Sequence, residues 1–189
     1  MTPPPPDDPA RCDWALSAPD YVAYHDEEWG NPLRGEHAMF ERMTLEGFQS
    51  GLSWIVILRK RPAFREAFAR FDPERVARFD DDDVARLLAD PGIVRNRQKI
   101  EATIHNAGVV AGLDTPLDEL LWSFAPDPST RERPATLADV PATTPESTAM
   151  AKELKRRGMR FVGPTTCYAL MQATGLVDDH VRYCWRAAP

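Results

Sequence analysis

The sequence has little that would direct the chain into a membrane or out of the cell. No run of about 18 apolar residues occurs, so we expect no membrane-spanning helix and no membrane partner. The N-terminal residues are proline-rich and acidic, the opposite of the basic and apolar regions of a secretory signal. They predict a disordered leader over residues 1–10 and a single domain over residues 11–189. We therefore expect a cytoplasmic protein.

Cysteine is also scarce. The three cysteines, Cys12, Cys167 and Cys184, cannot all pair, and a chain without a secretory signal is expected in a reducing compartment. Metal binding or thiolate chemistry is therefore a better interpretation of these residues than disulfide bonding. Cys167 lies in an apolar helical stretch and is interpreted as a core residue.

Strand patterns are weak, because β-branched residues nowhere alternate with polar ones over a convincing length. Apolar residues instead recur every three or four positions over residues 39–58, which is the spacing of a helix face. Gly47 and Gly51 predict a loop or a close packing contact midway, where Ser53 could cap a second helix. The predicted fold class is all-α. Further helices are predicted over residues 94–112, 117–124, 146–157 and 164–175, with an irregular connection over residues 125–145.

Local signals predict several helix starts. Asp72 followed by Pro73 is typical of a helix cap and first turn. The acidic run at residues 80–83 complements the dipole at a helix N-terminus, which we favour over calcium binding. Pro62 predicts the start of another helix.

Positive charge is in deficit, since 23 Lys and Arg against 29 Asp and Glu give a formal net charge of −6. This balance argues against a protein that coats nucleic acid indiscriminately, because that binding depends on neutralising phosphates. It leaves a local basic face open. The segments 58–65, 91–100 and 152–160 carry net charges of +4, +3 and +4.

One of these basic segments contains a candidate hairpin. A helix is predicted to end at Asp90-Pro91, Gly92 permits a tight turn, and a new helix follows with Arg95 and Lys99 near its start. In a helix-hairpin-helix, such a turn binds a DNA phosphate through backbone N–H groups. An ordinary helix–helix turn with a glycine cap is an equally good interpretation of this segment alone.

Two cysteines and two histidines form a candidate metal site. His180 and Cys184 are four residues apart and would lie on one face of a helical turn, whereas Cys12 and His25 come from the other end of the chain. A Cys₂His₂ set is the composition of a closed structural zinc site, which predicts one Zn²⁺ per chain that ties the terminal segments together. Two buried cysteines and two ordinary histidines are the alternative.

A single carboxylate interrupts a largely apolar helical stretch, at Glu46. A carboxylate on an apolar face must be paired or hydrogen-bonded, so it marks a candidate site. Aromatic side chains can stack on a nucleobase, and a carboxylate can accept hydrogen bonds from an exocyclic amine. A core of aromatic residues with Glu46 at its wet edge is the alternative. The aromatic residues concerned are Trp14, Tyr21, Tyr24, Trp29 and Trp54.

Together these segments resemble the DNA-3-methyladenine glycosylase I family, within the helix-hairpin-helix glycosylases. The resemblance is colinear and extends from Cys12 to Cys184. It implies an all-α DNA glycosylase domain over residues 11–189, with the helix-hairpin-helix near residues 80–110. The stretches that carry it are residues 12–14, 21–30, 45–54, 92–100, 160–168 and 171–180, together with Cys184.

The resemblance also implies roles for individual residues. Glu46 and Tyr24 would hydrogen-bond the damaged adenine, with Glu46 as the candidate for stabilising charge during catalysis, and Trp54 would stack on the base. Tyr21 and Trp14 would line the pocket. The family implies a zinc site formed by Cys12, His25, His180 and Cys184. It implies DNA contacts by Gly51 and Leu52 at the gap left by the flipped nucleotide, and by the hairpin residues Gly92, Arg95 and Lys99.

The implied function is a monomeric, cytoplasmic repair enzyme of bacterial type that acts on the nucleoid. It would flip 3-methyladenine out of double-stranded alkylated DNA and hydrolyse the N-glycosidic bond, leaving an abasic site without a lyase step. Many enzymes of the wider superfamily carry a catalytic Asp after the hairpin, but the resemblance implies none here, and we assign no residue to that role. The alternatives are a non-catalytic, zinc-stapled module that recognises distorted DNA, and a glycosylase for another alkylated base.

Overall fold

The computed structural model describes residues 9–187, so most of the predicted leader, residues 1–8, lies outside the described residues. Within residues 9–187 the chain forms helices and no β-strand, which confirms the all-α class. Short 3₁₀ turns cover Asp13–Ser17, Ala69–Phe71, Pro128–Thr130 and Leu137–Asp139. The α-helices are α1 (Pro19–Glu27), α2 (Glu36–Gln49), α3 (Trp54–Ala67), α4 (Pro73–Val76), α5 (Asp81–Ala89), α6 (Arg97–Ala111), α7 (Leu117–Trp122), α8 (Pro145–Arg156) and α9 (Pro164–Ala173).

Most local start signals act as predicted. The Asp72 side chain accepts a hydrogen bond from the Arg75 amide, and Asp80 forms a capping box at the start of α5. The prediction at Pro62 is wrong, because α3 continues through this residue from Trp54 to Ala67. Proline removes one backbone hydrogen bond, but burial of the apolar face of α3 on both sides of Pro62 stabilises the continuous helix.

Helix α2 lies at the centre of the molecule and packs against α3, α6, α7 and α9. All residues from position 42 to position 48 are buried, so the second half of α2 is enclosed on every side. The rings of Phe48 and Phe64, whose centroids are 4.7 Å apart, anchor α2 to α3. Because its neighbours along α2 are buried, Glu46 is also held in the interior, although its side chain is ionisable.

Helices α5 and α6 are joined by a tight connection at residues 90–96. Gly92 has no space for a side chain, because a Cβ there would lie 2.9 Å from both the Ala63 Cβ and an Asp90 carboxylate oxygen. The Asp90 carboxylate accepts a hydrogen bond from the Gly92 amide at 2.7 Å. Gly92 therefore lets the turn approach α3 closely, while its own N–H is already used within the turn.

The two terminal segments of the described chain meet in a small satellite core. The Trp185 amide donates to the Ala10 carbonyl at 2.8 Å, and the Val181 amide donates to the Cys12 sulfur at 3.4 Å. The segment after α9 is a series of turns, so the expectation that His180 and Cys184 share a helical turn is wrong. Each of them instead contacts His25 of the N-terminal segment, Cys184 through its sulfur and His180 through its ring. No helix of residues 9–187 has the length and apolar character needed to span a membrane.

Candidate active site

A cavity of about 370 Å³ opens between α1, α2, α3 and α9, and the 3₁₀ turn at Asp13–Ser17 closes one side. The fold brings together all the residues that the sequence predicted for the base pocket. These residues are Glu46, Tyr24, Trp54, Tyr21 and Trp14. The other lining residues are Ser17, Trp29, Gln49, Leu137, Val140, Ala169, Gln172, Ala173 and Asp179.

Glu46 is the least compensated charge in this cavity. Its residue surface is 5% exposed, and its carboxylate accepts no hydrogen bond from any residue in the described range 9–187. Burial raises the pKa of Glu46 to about 7, and the nearby charge of Arg42 opposes that rise. A desolvated carboxylate with free lone pairs can bind a cation or a hydrogen-bond donor that enters the cavity.

Aromatic rings form the walls next to Glu46. The rings of Tyr24 and Trp54 are tilted with centroids 5.5 Å apart, and the Trp54 indole N–H is buried without a partner in the described part of the chain. The Tyr21 hydroxyl accepts a hydrogen bond from the Ile55 amide at 2.8 Å, which fixes this ring at the start of α3. Trp14 packs edge-on against Tyr21 with centroids 5.6 Å apart. The cavity is therefore lined by rigid surfaces that suit a flat ring.

Arg42 lies next to this site without lining the cavity, and it was not among the residues predicted from the sequence. Its guanidinium donates to the Tyr24 hydroxyl and to the Glu28 carboxylate, both at 3.1 Å, and Arg61 also pairs with Glu28. Because Arg42 donates to the Tyr24 oxygen, the Tyr24 O–H hydrogen is left for another acceptor. Burial raises the pKa of Tyr24, so the phenol stays protonated. A basic residue one helical turn before Glu46 was the available signal.

Asp179, in the segment after α9, also lines the cavity, and it was not among the site residues predicted from the sequence. Its carboxylate accepts hydrogen bonds from the Tyr168 hydroxyl at 2.6 Å, the Arg131 guanidinium at 2.8 Å and the Gln172 amide at 2.9 Å. Arg131 comes from the irregular connection between α7 and α8, where no local pattern predicts a partner. The side chain of Gln172, which also lines the cavity, is held in place by this network.

Three of the four predicted metal ligands form one buried group next to the cavity. Single ligand atoms of Cys12, His25 and Cys184 all lie within 4.8 Å of one another. The Cys184 sulfur is 3.3 Å from the His25 Nε2, and its contacts with the Cys12 thiol and His25 lower the pKa of Cys184. His180 lies outside this group of three, with its ring centroid 4.9 Å from that of His25.

The chemistry of these four side chains fits a divalent metal. The His180 Nε2 is buried and has no hydrogen-bond partner within residues 9–187. The Nδ1 atoms of His25 and His180 each lie 2.8 Å from a carboxylate oxygen, of Asp26 and Asp178 respectively. Carboxylates at this position orient histidine ligands of zinc and leave Nε2 for the metal. Cys₂His₂ is also a preferred zinc set.

The residues predicted to contact DNA fall into two groups. Gly51 has a φ of 82° in an exposed turn, Leu52 beside it is 42% exposed, and the Arg95 side chain is exposed near the α5–α6 connection. These three are accessible to a large ligand. Gly92 and Lys99 instead make hydrogen bonds within the protein, and only Lys99 is buried.

Lys99 is 8% exposed, and its ammonium donates to the Phe48 carbonyl at 2.8 Å and the Ser50 carbonyl at 2.6 Å. A cation at the C-terminus of a helix satisfies carbonyls that have no partner within the helix. Lys99 therefore joins α6 to the end of α2 and to the exposed turn that follows it. The Lys99 ammonium is thus used within the protein, whereas the family resemblance implied that Lys99 contacts DNA.

The three basic segments also differ in how much of their charge is available. In segment 58–65, each arginine forms an ion pair with a carboxylate from another part of the chain, and the Lys60 ammonium donates to the Pro91 carbonyl at 2.6 Å. Arg95 and Arg160, from the other two segments, are exposed and form no ion pair within residues 9–187. The pairs in the first segment are Arg59 with Asp20, Arg61 with Glu28, and Arg65 with Glu41.

Comparisons of the sequence and of the structure with known proteins indicate the same family. The sequence profile of the methyladenine glycosylase family matches residues 14–187. DNA-3-methyladenine glycosylase 1 of Escherichia coli (strain K12) is 45% identical over 177 residues, which cover 92% of this chain and 95% of that protein. A crystal structure of 3-methyladenine DNA glycosylase I superposes with a TM-score of 0.89 at 44% identity, covering 95% of this chain and 100% of the other. The Staphylococcus aureus enzyme, studied for its recognition of 3-methyladenine, superposes with a TM-score of 0.88 at 33% identity, covering 95% and 97%.

Proposed function

The chain belongs to the methyladenine glycosylase family and is a DNA glycosylase, and from that premise we propose that it excises 3-methyladenine from alkylated duplex DNA. The observation that carries the proposal is the buried Glu46 carboxylate, which has no hydrogen-bond partner within residues 9–187 in an aromatic cavity. Glu46 would accept hydrogen bonds from the exocyclic amine of the base. The Tyr24 hydroxyl would donate to a ring nitrogen, and Trp54 would stack on the ring.

The charge of the substrate suits this cavity. Alkylation at N3 makes the adenine cationic, and a cation is attracted both by a desolvated carboxylate and by aromatic faces. Ordinary adenine is neutral and gains less from the same groups. The cavity of about 370 Å³ can enclose a base only after the nucleotide leaves the stack, so the proposal includes base flipping.

The chemical step needs little acid catalysis. Water forms a bond to the anomeric carbon of the deoxyribose as the glycosidic C–N bond breaks, and the bonding electrons neutralise the departing base. The water loses a proton to solvent. Because the base leaves as a neutral molecule, a strong general acid is less necessary than in glycosidases with two carboxylates. Lyase chemistry would need an amine nucleophile, and the cavity-lining residues among 9–187 include no lysine.

The DNA would lie across the exposed turn at Gly51 and Leu52 and the connection between α5 and α6. At this connection the backbone N–H groups of Val94 and Arg95 have no acceptor in the described part of the chain, which suits a helix-hairpin-helix that binds a phosphate. The exposed Arg95 side chain would add charge. Lys99 would act indirectly, by holding the Leu52 turn against the hairpin helix.

Cys12, His25, His180 and Cys184 would hold one structural Zn²⁺ per chain. The ion would supply cohesion between the two terminal segments and take no part in the reaction. Metal analysis of protein purified without chelator should find about one zinc per chain. Chelation should lower the melting temperature, and Cys184→Ser should lower both the zinc content and the melting temperature. A full melting temperature in metal-free protein would contradict the zinc proposal.

Chromatography of the bases released from methylated duplex DNA tests the function directly. The wild-type protein should release free 3-methyladenine and leave the DNA strand uncut. In folded protein, Glu46→Ala and Trp54→Ala should abolish or sharply reduce the release, while Glu41→Gln, on the same helix but outside the cavity, should not. A non-catalytic DNA-binding module would bind DNA and release no base. Release of another alkylated base alone would favour a different substrate.

A further inference from the structure

The turn between α8 and α9 carries an exposed aromatic residue in a strained backbone conformation. Phe161 has a φ of 56°, in the left-handed region that bulky residues rarely adopt, and is 39% exposed. Phe71 has nearly the same φ, 55°, but is completely buried among other phenylalanines. Core packing therefore accounts for the conformation of Phe71, whereas Phe161 remains accessible to a partner.

The strained conformation is imposed by helix α6. The buried Asn106 side chain makes two hydrogen bonds to the backbone of Arg160, donating to its carbonyl at 2.9 Å and accepting from its amide at 2.8 Å. His105 on the same helix lies 2.9 Å from the Gly158 carbonyl. Strain of this kind persists only where the surrounding structure fixes it, and it concentrates at functional sites. The turn is thus held in a defined position relative to α6.

Phe161 lies at the same end of α2 as Leu52. A Cβ built on Gly47 would be 3.5 Å from the Phe161 Cβ, and Gly47 lies one helical turn before Ser50. Lys99, which holds the Ser50 turn, lines the same small crevice as Phe161. Two exposed apolar side chains, Leu52 and Phe161, therefore flank a segment fixed by α6.

We propose that Phe161 is a second DNA contact of this enzyme, packing its ring against the bases that border the flipped nucleotide. This inference rests on the proposed function. Apolar wedges and aromatic rings stabilise unstacked base steps, and a rigid wedge does so with little loss of conformational freedom. The exposed Arg160 guanidinium next to it has no ion-pair partner within residues 9–187 and supplies a cation for a phosphate. Because α6 follows the hairpin directly, one helix would fix both the phosphate contact and the wedge.

The test measures binding to a fluorescent duplex that contains a tetrahydrofuran abasic analogue, by anisotropy over a series of salt concentrations, with the full chain. Phe161→Ala should bind about tenfold more weakly than wild type, as expected for loss of one aromatic contact with bases. The slope of log affinity against log salt should stay unchanged, because no charge is lost. Arg160→Gln should reduce that slope, and Phe161→Trp should restore affinity. Leu16→Ala, which removes another exposed apolar side chain, should change nothing.

Two further measurements separate this contact from a role in folding or in the base pocket. Phe161→Gly relieves the backbone strain, so its melting temperature should equal or exceed that of wild type while its duplex affinity still falls. Binding of free 3-methyladenine should be unaffected in every Phe161 variant. Unchanged duplex affinity, or a parallel loss of free-base binding, would overturn the proposal. If wild-type protein binds the duplex through Phe161 but releases no 3-methyladenine, the proposed function fails and the contact stands.

Discussion

Two buried carboxylates, Glu46 and Asp179, line the same cavity, and they differ in how their lone pairs are used. Asp179 accepts three hydrogen bonds, including one from the guanidinium of Arg131. Glu46 accepts none from residues 9–187, and the charge of Arg42 only partly offsets its burial. A buried carboxylate with all its partners stabilises the fold, whereas one without partners destabilises it until a ligand binds. The difference indicates which wall of the cavity serves structure and which serves binding.

We expect the unpartnered carboxylate, Glu46, to have the larger influence on activity. Glu46→Gln preserves shape and removes the charge that would attract a cationic base, so 3-methyladenine release should fall by on the order of 1,000-fold. Single-turnover release from methylated duplex measures this loss, with Glu41→Gln as the control. Activity close to that of wild type would assign recognition to the aromatic walls alone.

The partnered carboxylate should dominate stability. Asp179→Asn places an amide N–H group among three donors and leaves the Arg131 charge unpaired, which should lower the free energy of unfolding by about 3–5 kcal/mol. Urea denaturation measures the change. Glu153→Gln, which breaks the exposed pairs with Arg156 and Arg157, should have little effect. Equal losses in the two variants would mean that the Asp179 network adds no more than a surface ion pair.

Unlike Asp179, Glu46 should destabilise the folded protein, and it should do so only at a pH where its carboxyl group is ionised. Its pKa of about 7 in the folded protein exceeds the ordinary value of 4.5, so the folded state binds the extra proton between these two values. The contribution of Glu46 to the free energy of unfolding is therefore fully present below about pH 4.5. It is lost as the pH rises through about 7, which lowers the free energy of unfolding by up to about 3 kcal/mol. Glu46→Gln lacks this decline and should be more stable than wild type at pH 8 but not at pH 4.5. Parallel stability curves for the two proteins would contradict the unpartnered state of Glu46.

The same contrast explains how much of the site could be predicted. Helix caps and three- to four-residue spacing are local, so most helices, including the capping box at Asp80, follow from the chain itself. Residue types and the family resemblance gave Glu46 and its aromatic neighbours. Partners such as Arg131 depend on where an irregular connection packs, which no local pattern encodes. The hydrogen bonds of Lys99 to the end of α2 could not be predicted for a related reason, because only the fold brings those carbonyls within its reach.

A substitution of Arg42 should have the smallest effect of those considered, because Arg42 influences the charge state of Glu46 without lining the cavity. Its charge lowers the pKa of Glu46, so Arg42→Met should raise that pKa and move the acid limb of the release rate to higher pH. A rise of about one unit from a pKa of about 7 lowers the ionised fraction of Glu46 at pH 7 from about one half to about one tenth, so release at pH 7 should fall by about fivefold and recover at pH 9. Arg42→Lys keeps the charge and should retain most of the wild-type pH profile. The Arg61–Glu28 pair remains in both variants and preserves the local fold. A uniform loss at all pH values would mean that Arg42 acts through the orientation of Tyr24 alone, because that hydrogen bond does not titrate in this range.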